Sequence, residues 1–283
     1  MAGVGNRSRV RRPSTGLPIR LAAAPRRSRK GHIYPLGHGK VRGRRRGSRS
    51  GRFFKTLLKS VMWLLVVAFA LLFATILSLR FIDPPTWALK IQREFNPPAG
   101  YPAASQHQWR NIARIPPAVQ LAVVAAEDQN FPYHPGVDVG AIQQAMSEAQ
   151  AGKALRGAST LTQQTVKNLF LWPRQDWSRK LLEGGLALLL ELLWDKRRVL
   201  EVYLNIVEFG PGIYGVGAAS EYWYQRPLDQ LSIDQAARLA AILPNPWRYR
   251  AEPPSPYVAE RAVWIERQMR RLGYGWLTPV TGP

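Results

Sequence analysis

Gly157-Ala-Ser159-Thr160-Leu-Thr-Gln163-Gln164 is a dense block of hydroxyl and amide side chains, and two carboxylates bracket it in sequence. Glu127 lies upstream, at the head of Glu127-Asp128-Gln-Asn-Phe131-Pro-Tyr-His134-Pro-Gly136. Glu183 lies downstream, in Arg179-Lys180-Leu-Leu-Glu183. Glu127 follows the apolar run Val123-Val-Ala-Ala126, and a carboxylate at such an edge is partly desolvated. Desolvation raises its pKa towards neutrality and suits it to take up a proton. Hydroxyls and amides pair with sugar hydroxyls and acetamido groups, while lysine and arginine hold phosphates. Together these groups suit acid/base chemistry on a polyhydroxylated, anionic substrate.

Each group also has a purely structural use. In a helix Ser159 and Gln163 share a face at i,i+4, as do Thr160 and Gln164, with Lys167 one turn further along. Ser159 or Thr160 could cap that helix. Capping does not explain paired glutamines ahead of a lysine, so the block is read as substrate-binding. Phe131 can wall the site, and Asp128 and His134 can hold its loop by hydrogen bonds. Arg179 and Lys180 stand at i,i+4 and i,i+3 from Glu183, which fits an ordinary helical ion pair or a clamp on a diphosphate leaving group. Further on, Lys196-Arg-Arg-Val-Leu-Glu201-Val-Tyr203-Leu-Asn205 puts Glu201 and Asn205 on one face. The glycines between Gly210 and Gly217 then permit a tight turn. Packing and a helix stop would account for both features.

The elements that must position these groups read as helices. Ala118 to Glu127 opens at a proline pair, which suits a first turn. Val137 to Ala151 and Ser159 to Leu171 follow. Trp177 to Val207 carries leucines at helical spacing and is interrupted near Trp194-Asp195. Leu231 to Leu243 starts at Ser232 with Gln235 three residues on, a capping-box signature. Tyr257 to Leu272 is the last. Strand signals are sparse, and no Gly-rich phosphate loop follows a strand. The fold class expected is mainly α, large enough for one substantial core.

Charge and hydropathy set the rest. The formal charge is +22, from 40 Lys and Arg against 18 Asp and Glu. The first 59 residues hold 18 of those cations and no acid, so the excess belongs to a tail. That tail is Arg, Gly, Ser and Pro, which cannot bury a core. Residues 1–52 are therefore expected to be disordered. A nucleic-acid protein would spread its charge over a folded face with aromatic platforms, so no nucleic-acid partner is expected. Ser60 to Leu79 has no charge and is long enough to span a bilayer. Arg52, Lys55 and Lys59 precede it, so residues 53–80 read as an uncleaved anchor with the tail on the cytoplasmic side. Residues 81–114 read as a linker and membrane-proximal segment, and 115–283 as the folded domain. The chain contains no cysteine, which removes thiol nucleophiles and thiolate metal sites.

Four blocks in register carry a resemblance. They are Glu-Asp-x-x-Phe-x-x-His-x-Gly at 127–136, Gly-x-Ser-Thr-x-Thr-Gln-Gln at 157–164, Arg-Lys-x-x-Glu at 179–183 and Lys-x-x-Val-Leu-Glu-x-Tyr-Leu-Asn at 196–205. Over residues 115–246 the chain resembles the peptidoglycan glycosyltransferases of glycosyltransferase family 51. About 40 residues follow Pro246, without Ser-x-x-Lys or Lys-Thr-Gly. The likeness is therefore to the family's monofunctional members. It implies a lysozyme-like α-helical domain with head and jaw lobes around a groove, and glycan polymerisation from lipid II. The GlcNAc 4-hydroxyl of lipid II would attack the lipid-linked end of the growing strand, with inversion and release of undecaprenyl diphosphate. Glu127 and Glu183 become the catalytic pair. Asp128, Phe131, His134, Ser159, Thr160, Gln163, Gln164, Lys167, Arg179, Lys180, Glu201 and Asn205 become substrate-binding residues.

The resemblance further implies a bacterial inner-membrane protein with its catalytic domain in the periplasm. Its partners would be lipid II, the growing glycan strand, the bilayer and other cell-wall synthesis or division proteins. No bound cofactor is expected beyond Mg²⁺ or Mn²⁺ on the substrate pyrophosphate. The family's arginine eight residues before the second glutamate is replaced by Gln175, with Arg174 beside it. Where the family runs to Tyr-Phe-Gly, the chain has Tyr222-Trp223-Tyr224. Two other classes remain in view: a lysozyme-like hydrolase or lytic transglycosylase, and a non-enzymatic basic membrane protein resting on the tail alone.

Overall fold

The uncharged run at Ser60–Leu79 sits inside one continuous helix, α1 (Arg49–Leu79), in a computed structural model that describes residues 49–152, 157–172 and 176–282. The expectations for residues 1–48 and for Arg174 fall outside the described residues. Residues 56–283 form one unit by their internal contacts, and the candidate site lies wholly within it. In the first unit, residues 1–55, the described part is the opening of α1. The apolar stretch Arg52–Leu79 has 28 residues. At 1.5 Å per residue it reaches about 42 Å, enough for a hydrocarbon core of about 30 Å.

The end of α1 is docked rather than free. Ile76 is fully buried, and Trp194 Nε1 donates to its carbonyl at 2.7 Å. Arg80 donates to the Leu193 carbonyl at 2.6 Å, and Arg198 donates to the carbonyls of Leu79 and Ile82 at 3.1 and 2.8 Å. Asp83-Pro84-Pro85 then stops the helix, since proline has no donor to continue it.

The segment expected to be a linker is part of the fold. It contains α2 (Ala88–Phe95), strand β1 (Gln106–His107) and a 3-10 turn at Ile112–Arg114 capped by Asn111. Trp87, Ile112 and Ile115 are buried with the main core. Prolines and glycines around them give the segment the composition of a linker, but three large apolar anchors fix its path.

Next come α3 (Pro117–Glu127), α4 (Val139–Gln150), α5 (Leu161–Phe170), α6 (Trp177–Leu193) and α7 (Lys196–Ile206). The break between α6 and α7 falls at Trp194-Asp195, where Asp195 caps α7 through Arg198 N. Strands β2 (Glu208–Gly210) and β3 (Ile213–Tyr214) follow, with β3 central, parallel to β1 and antiparallel to β2. The chain closes with α8 (Gly215–Tyr224), α9 (Ile233–Ile242), α10 (Pro256–Leu272) and the short α11 (Thr278–Thr281). The capping box expected at Ser232 and Gln235 is formed.

The turn expected at Gly210–Gly217 is only the start of this region, because α8 begins at Gly215. There φ is +78° and an added Cβ would sit 2.5 Å from the Asn205 carbonyl, so only glycine fits. The fold is mainly α, as expected. α3, α9 and α10 pack on one another, while α5 packs against both α6 and α7. These two groups of helices set the two sides of the site.

Candidate active site

Glu127 is the last residue of α3, whose Val119 to Ala125 are all buried. The helix carries this carboxylate from the core to a half-buried edge. Burial raises its pKa above the model-compound value of 4.5. A hydrogen bond from Gln164 and the charges of Arg261 and Lys167 oppose that rise, while Asp128 adds to it. Gln164 Nε2 donates to Glu127 Oε2 at 2.9 Å, and Tyr203 OH donates to Gln164 Oε1 at 3.1 Å. Three elements thus meet at one carboxyl: α3, α5 and α7.

The second carboxylate is held differently. Glu183 is 2% exposed. One oxygen accepts from Arg179 NH1 at 2.8 Å and the other from Lys180 Nζ. Lys180 Nζ also donates to Ser159 Oγ at 2.7 Å. Asp176 caps α6 by accepting from Arg179 N at 2.7 Å, which fixes where both cations stand. Asp176, Trp177, Arg179 and Lys180 line an open surface depression of about 280 Å³. Arg179 Nε is buried and has no hydrogen-bond partner among the described residues. A donor left over beside a depression walled by two cations suits an anion.

Lys167 joins the two halves. It lies on α5, half-buried, and burial lowers its pKa, against attraction from Glu183 and Glu127. Both carboxylates therefore stand within electrostatic reach of this one lysine. The site therefore has a carboxyl of raised pKa at one end and a cationic depression at the other.

A model of the family described as Transglycosylase matches residues 96–270. A protein from Shewanella oneidensis named "Biosynthetic peptidoglycan transglycosylase" is 53% identical over 214 residues, covering 75% of this chain and 91% of that protein. Like-named proteins from Aeromonas hydrophila and Vibrio parahaemolyticus are 49% and 47% identical over 219 residues, each 77% of this chain and 93% and 96% of theirs. The chain belongs to the transglycosylase family. The matched region begins at residue 96, so it includes most of the segment first assigned to a linker.

Within this transglycosylase several expected substrate contacts are internal supports. Asp128 accepts from His134 Nε2 at 2.9 Å and from Leu161 N at 2.9 Å, tying the loop after α3 to the start of α5. His134 Nδ1 accepts from Gly136 N at 3.1 Å, so its proton is on Nε2. Gly136 itself has φ +88°, and a Cβ there would meet the Ala187 carbonyl at 2.8 Å. Phe131 is fully buried, with Lys196 Nζ 4.5 Å from its ring centre, so it is core and not a wall of the site. Thr160 and Gln163 form the capping box of α5, and Thr160 also donates to the Gly136 carbonyl. The paired glutamines thus divide their labour: Gln163 caps and Gln164 faces Glu127.

Glu201 and Asn205 are likewise spent inside the chain. Glu201 accepts from Ile112 N and Arg198, and Asn205 bridges the N–H and carbonyl of Arg110 at 2.6 and 2.8 Å. Both are buried, at 7% and 0% exposure, and they clamp the segment 110–112 onto α7. Glu183 also departs from expectation. Both its oxygens are occupied by cations and it does not line the depression, so its geometry is that of a group holding Arg179 and Lys180 in place. Ser159, Gln164, Lys167, Arg179 and Lys180 remain with Glu127 as the groups brought together.

Sequence reading missed Tyr203, because a tyrosine among apolar residues on a helix face looks like packing. It also missed Arg261 on α10, whose NH2 donates to the Ala126 carbonyl at 3.2 Å and whose charge acts on Glu127. No local pattern marks that arginine; only the packing of α10 on α3 brings it near. The departure at Tyr222-Trp223-Tyr224 has a partial account: Trp223 Nε1 donates to the Phe209 carbonyl at 2.9 Å and Tyr224 OH to the Gln235 carbonyl at 3.1 Å.

Proposed function

We propose that the chain polymerises peptidoglycan glycan strands at the membrane, with lipid II as the acceptor. The observation that carries this reading is Lys167 on α5, within electrostatic reach both of the half-buried Glu127 and of the Glu183–Arg179–Lys180 group, whose two cations line an open depression. One end takes a proton and the other takes a diphosphate.

In the reaction, Glu127 accepts the proton of the GlcNAc 4-hydroxyl of lipid II as that oxygen attacks C1 of the lipid-linked sugar ending the strand. The C1–oxygen bond to the pyrophosphate breaks on the opposite face, so the α-linked donor gives a β-1,4 bond. The electron pair leaves with undecaprenyl diphosphate, whose developing charge falls to Arg179, Lys180 and Lys167. Glu183 keeps two cations side by side without mutual repulsion opening the site. Ser159 holds Lys180 from the other direction. Among the described residues no group of three or more His, Asp and Glu gathers as a metal site. Mg²⁺ or Mn²⁺ would enter with the substrate pyrophosphate and neutralise part of its charge.

The membrane setting follows from α1 as a single anchor. Cations at Arg52, Lys55 and Lys59 ahead of the apolar helix support a cytoplasmic N-terminus and a folded unit in the periplasm of a bacterial cell. Trp177, Leu181, Leu188 and Leu192 are 91, 80, 51 and 79% exposed, and all lie on α6, the helix that carries Arg179 and Lys180. An apolar stripe on that helix suits a lipid-facing surface beside the diphosphate site.

The testing experiment gives purified full-length protein labelled lipid II in one arm and intact sacculi in the other. Formation of a muramidase-sensitive polymer from lipid II supports the proposal. Release of soluble muropeptides from sacculi, without use of lipid II, would replace it with the hydrolase reading.

A further inference from the structure

The bond from Gln164 to Glu127 works only if the amide faces the right way. An amide has a donor end and an acceptor end of nearly equal size, and rotation about its last bond exchanges them. With Nε2 towards Glu127 the contact favours the ionised carboxylate; with Oε1 towards it the contact favours the protonated acid. Tyr203 is fully buried on α7, and its hydroxyl reaches Gln164 Oε1 at 3.1 Å. Burial keeps that phenol protonated, so it is a donor throughout the working range. A donor at this spot accepts only one orientation of the amide.

We propose that Tyr203 is a positioning residue for the base, fixing the Gln164 amide so that Nε2 and not Oε1 faces Glu127. The proposal rests on Glu127 being the base proposed above. The other groups acting on Glu127 are Lys167 from α5, Arg261 from α10 and Asp128 beside it in the chain, and the Tyr257 phenol of α10 stands close enough to feel its charge. Lys167 and Arg261 favour the ionised form and Asp128 opposes it. None of them bonds to Tyr203 in the structure, so removing its hydroxyl leaves their effect in place.

The test is the pH profile of kcat/KM on lipid II for the full-length protein and for Tyr203→Phe, Gln164→Leu and the double variant. Loss of one hydrogen bond to a carboxylate is worth roughly one pH unit. The acid limb of Tyr203→Phe should therefore move up by about one unit, lowering kcat/KM about tenfold on that limb, with the high-pH plateau largely kept. Gln164→Leu should move the limb in the same direction. Adding Tyr203→Phe to Gln164→Leu should move it no further, since the tyrosine acts through the amide.

An unmoved acid limb in Tyr203→Phe overturns the proposal, as does an equal extra shift in the Gln164→Leu background. A fall of the plateau alone marks a merely structural role and also overturns it. Should Tyr203→Phe not fold, Tyr203→Met, which also lacks the hydroxyl, takes its place: an unmoved limb overturns the proposal and a raised limb supports it. Failure of the base reading shows separately, as activity retained by Glu127→Gln.

Discussion

Removing the membrane anchor at its sequence boundary should cut into the folded unit. A fragment starting at Phe81 loses Ile76, which has no exposed surface, and the partly buried Leu72 and Leu79. Burying Ile76 fully is worth about 2 kcal/mol, and the two leucines together about 1 kcal/mol. The same cut removes the carbonyls of Ile76 and Leu79, which accept from Trp194 and Arg198, and the Arg80 donor to Leu193. Water replaces part of these bonds in the fragment, so their net loss is about 1 kcal/mol.

The total is about 4 kcal/mol. For a domain of this size each kcal/mol shifts Tm by roughly 2–4 °C, which gives a drop of about 8–16 °C. A fragment starting at Ala70 keeps the docked turns and should not show it. The assay is thermal unfolding of the two fragments by circular dichroism, in the same detergent. Melting temperatures within about 3 °C of each other would refute the docking argument and return residues 70–80 to the status of a tether.

Asn205→Ala should act on stability, not on substrate affinity. It strips three buried bonds and should cost about 3 kcal/mol by denaturant unfolding, with KM little changed. Glu183→Gln removes the charge that separates Arg179 from Lys180. Breaking a buried pair on one side costs about 3 kcal/mol, and weaker retention of pyrophosphate analogues in a direct binding assay should accompany it. Glu127→Gln should raise Tm in a pH-dependent way. Burial lifts the folded pKa above 4.5, so the stability this carboxyl contributes is full below that value and is lost as pH rises through the folded pKa. The gain over wild type should therefore open as pH rises above about 4.5 and close below it; a gap that does not vary with pH would contradict it.

Much of the fold was legible because its helices announce themselves. Ser232 with Gln235, the proline pair at the start of α3, and the break at Trp194-Asp195 all stand where local chemistry puts them. The segment 81–114 was not legible, since its short elements are held by Trp87, Ile112 and Ile115 reaching into a distant core. Site residues divided along the same line. Glu127 could be read from the apolar run ahead of it, and the cations from their spacing to a carboxylate. Which polar groups face ligand could not, because Thr160, Glu201 and Asn205 find partners 24 to 95 residues away, and sequence does not show those partners.

The claim on which the account turns is that Glu127 removes the proton of the attacking hydroxyl. It is tested most directly by single-turnover reaction of labelled lipid II with full-length wild type and Glu127→Gln. Products would be resolved before and after muramidase digestion, and lipid II binding measured alongside. The account predicts polymer formation slowed by about 10² to 10⁴-fold with binding retained, since the amide keeps the shape but cannot take the proton. Near-normal turnover by Glu127→Gln would contradict it.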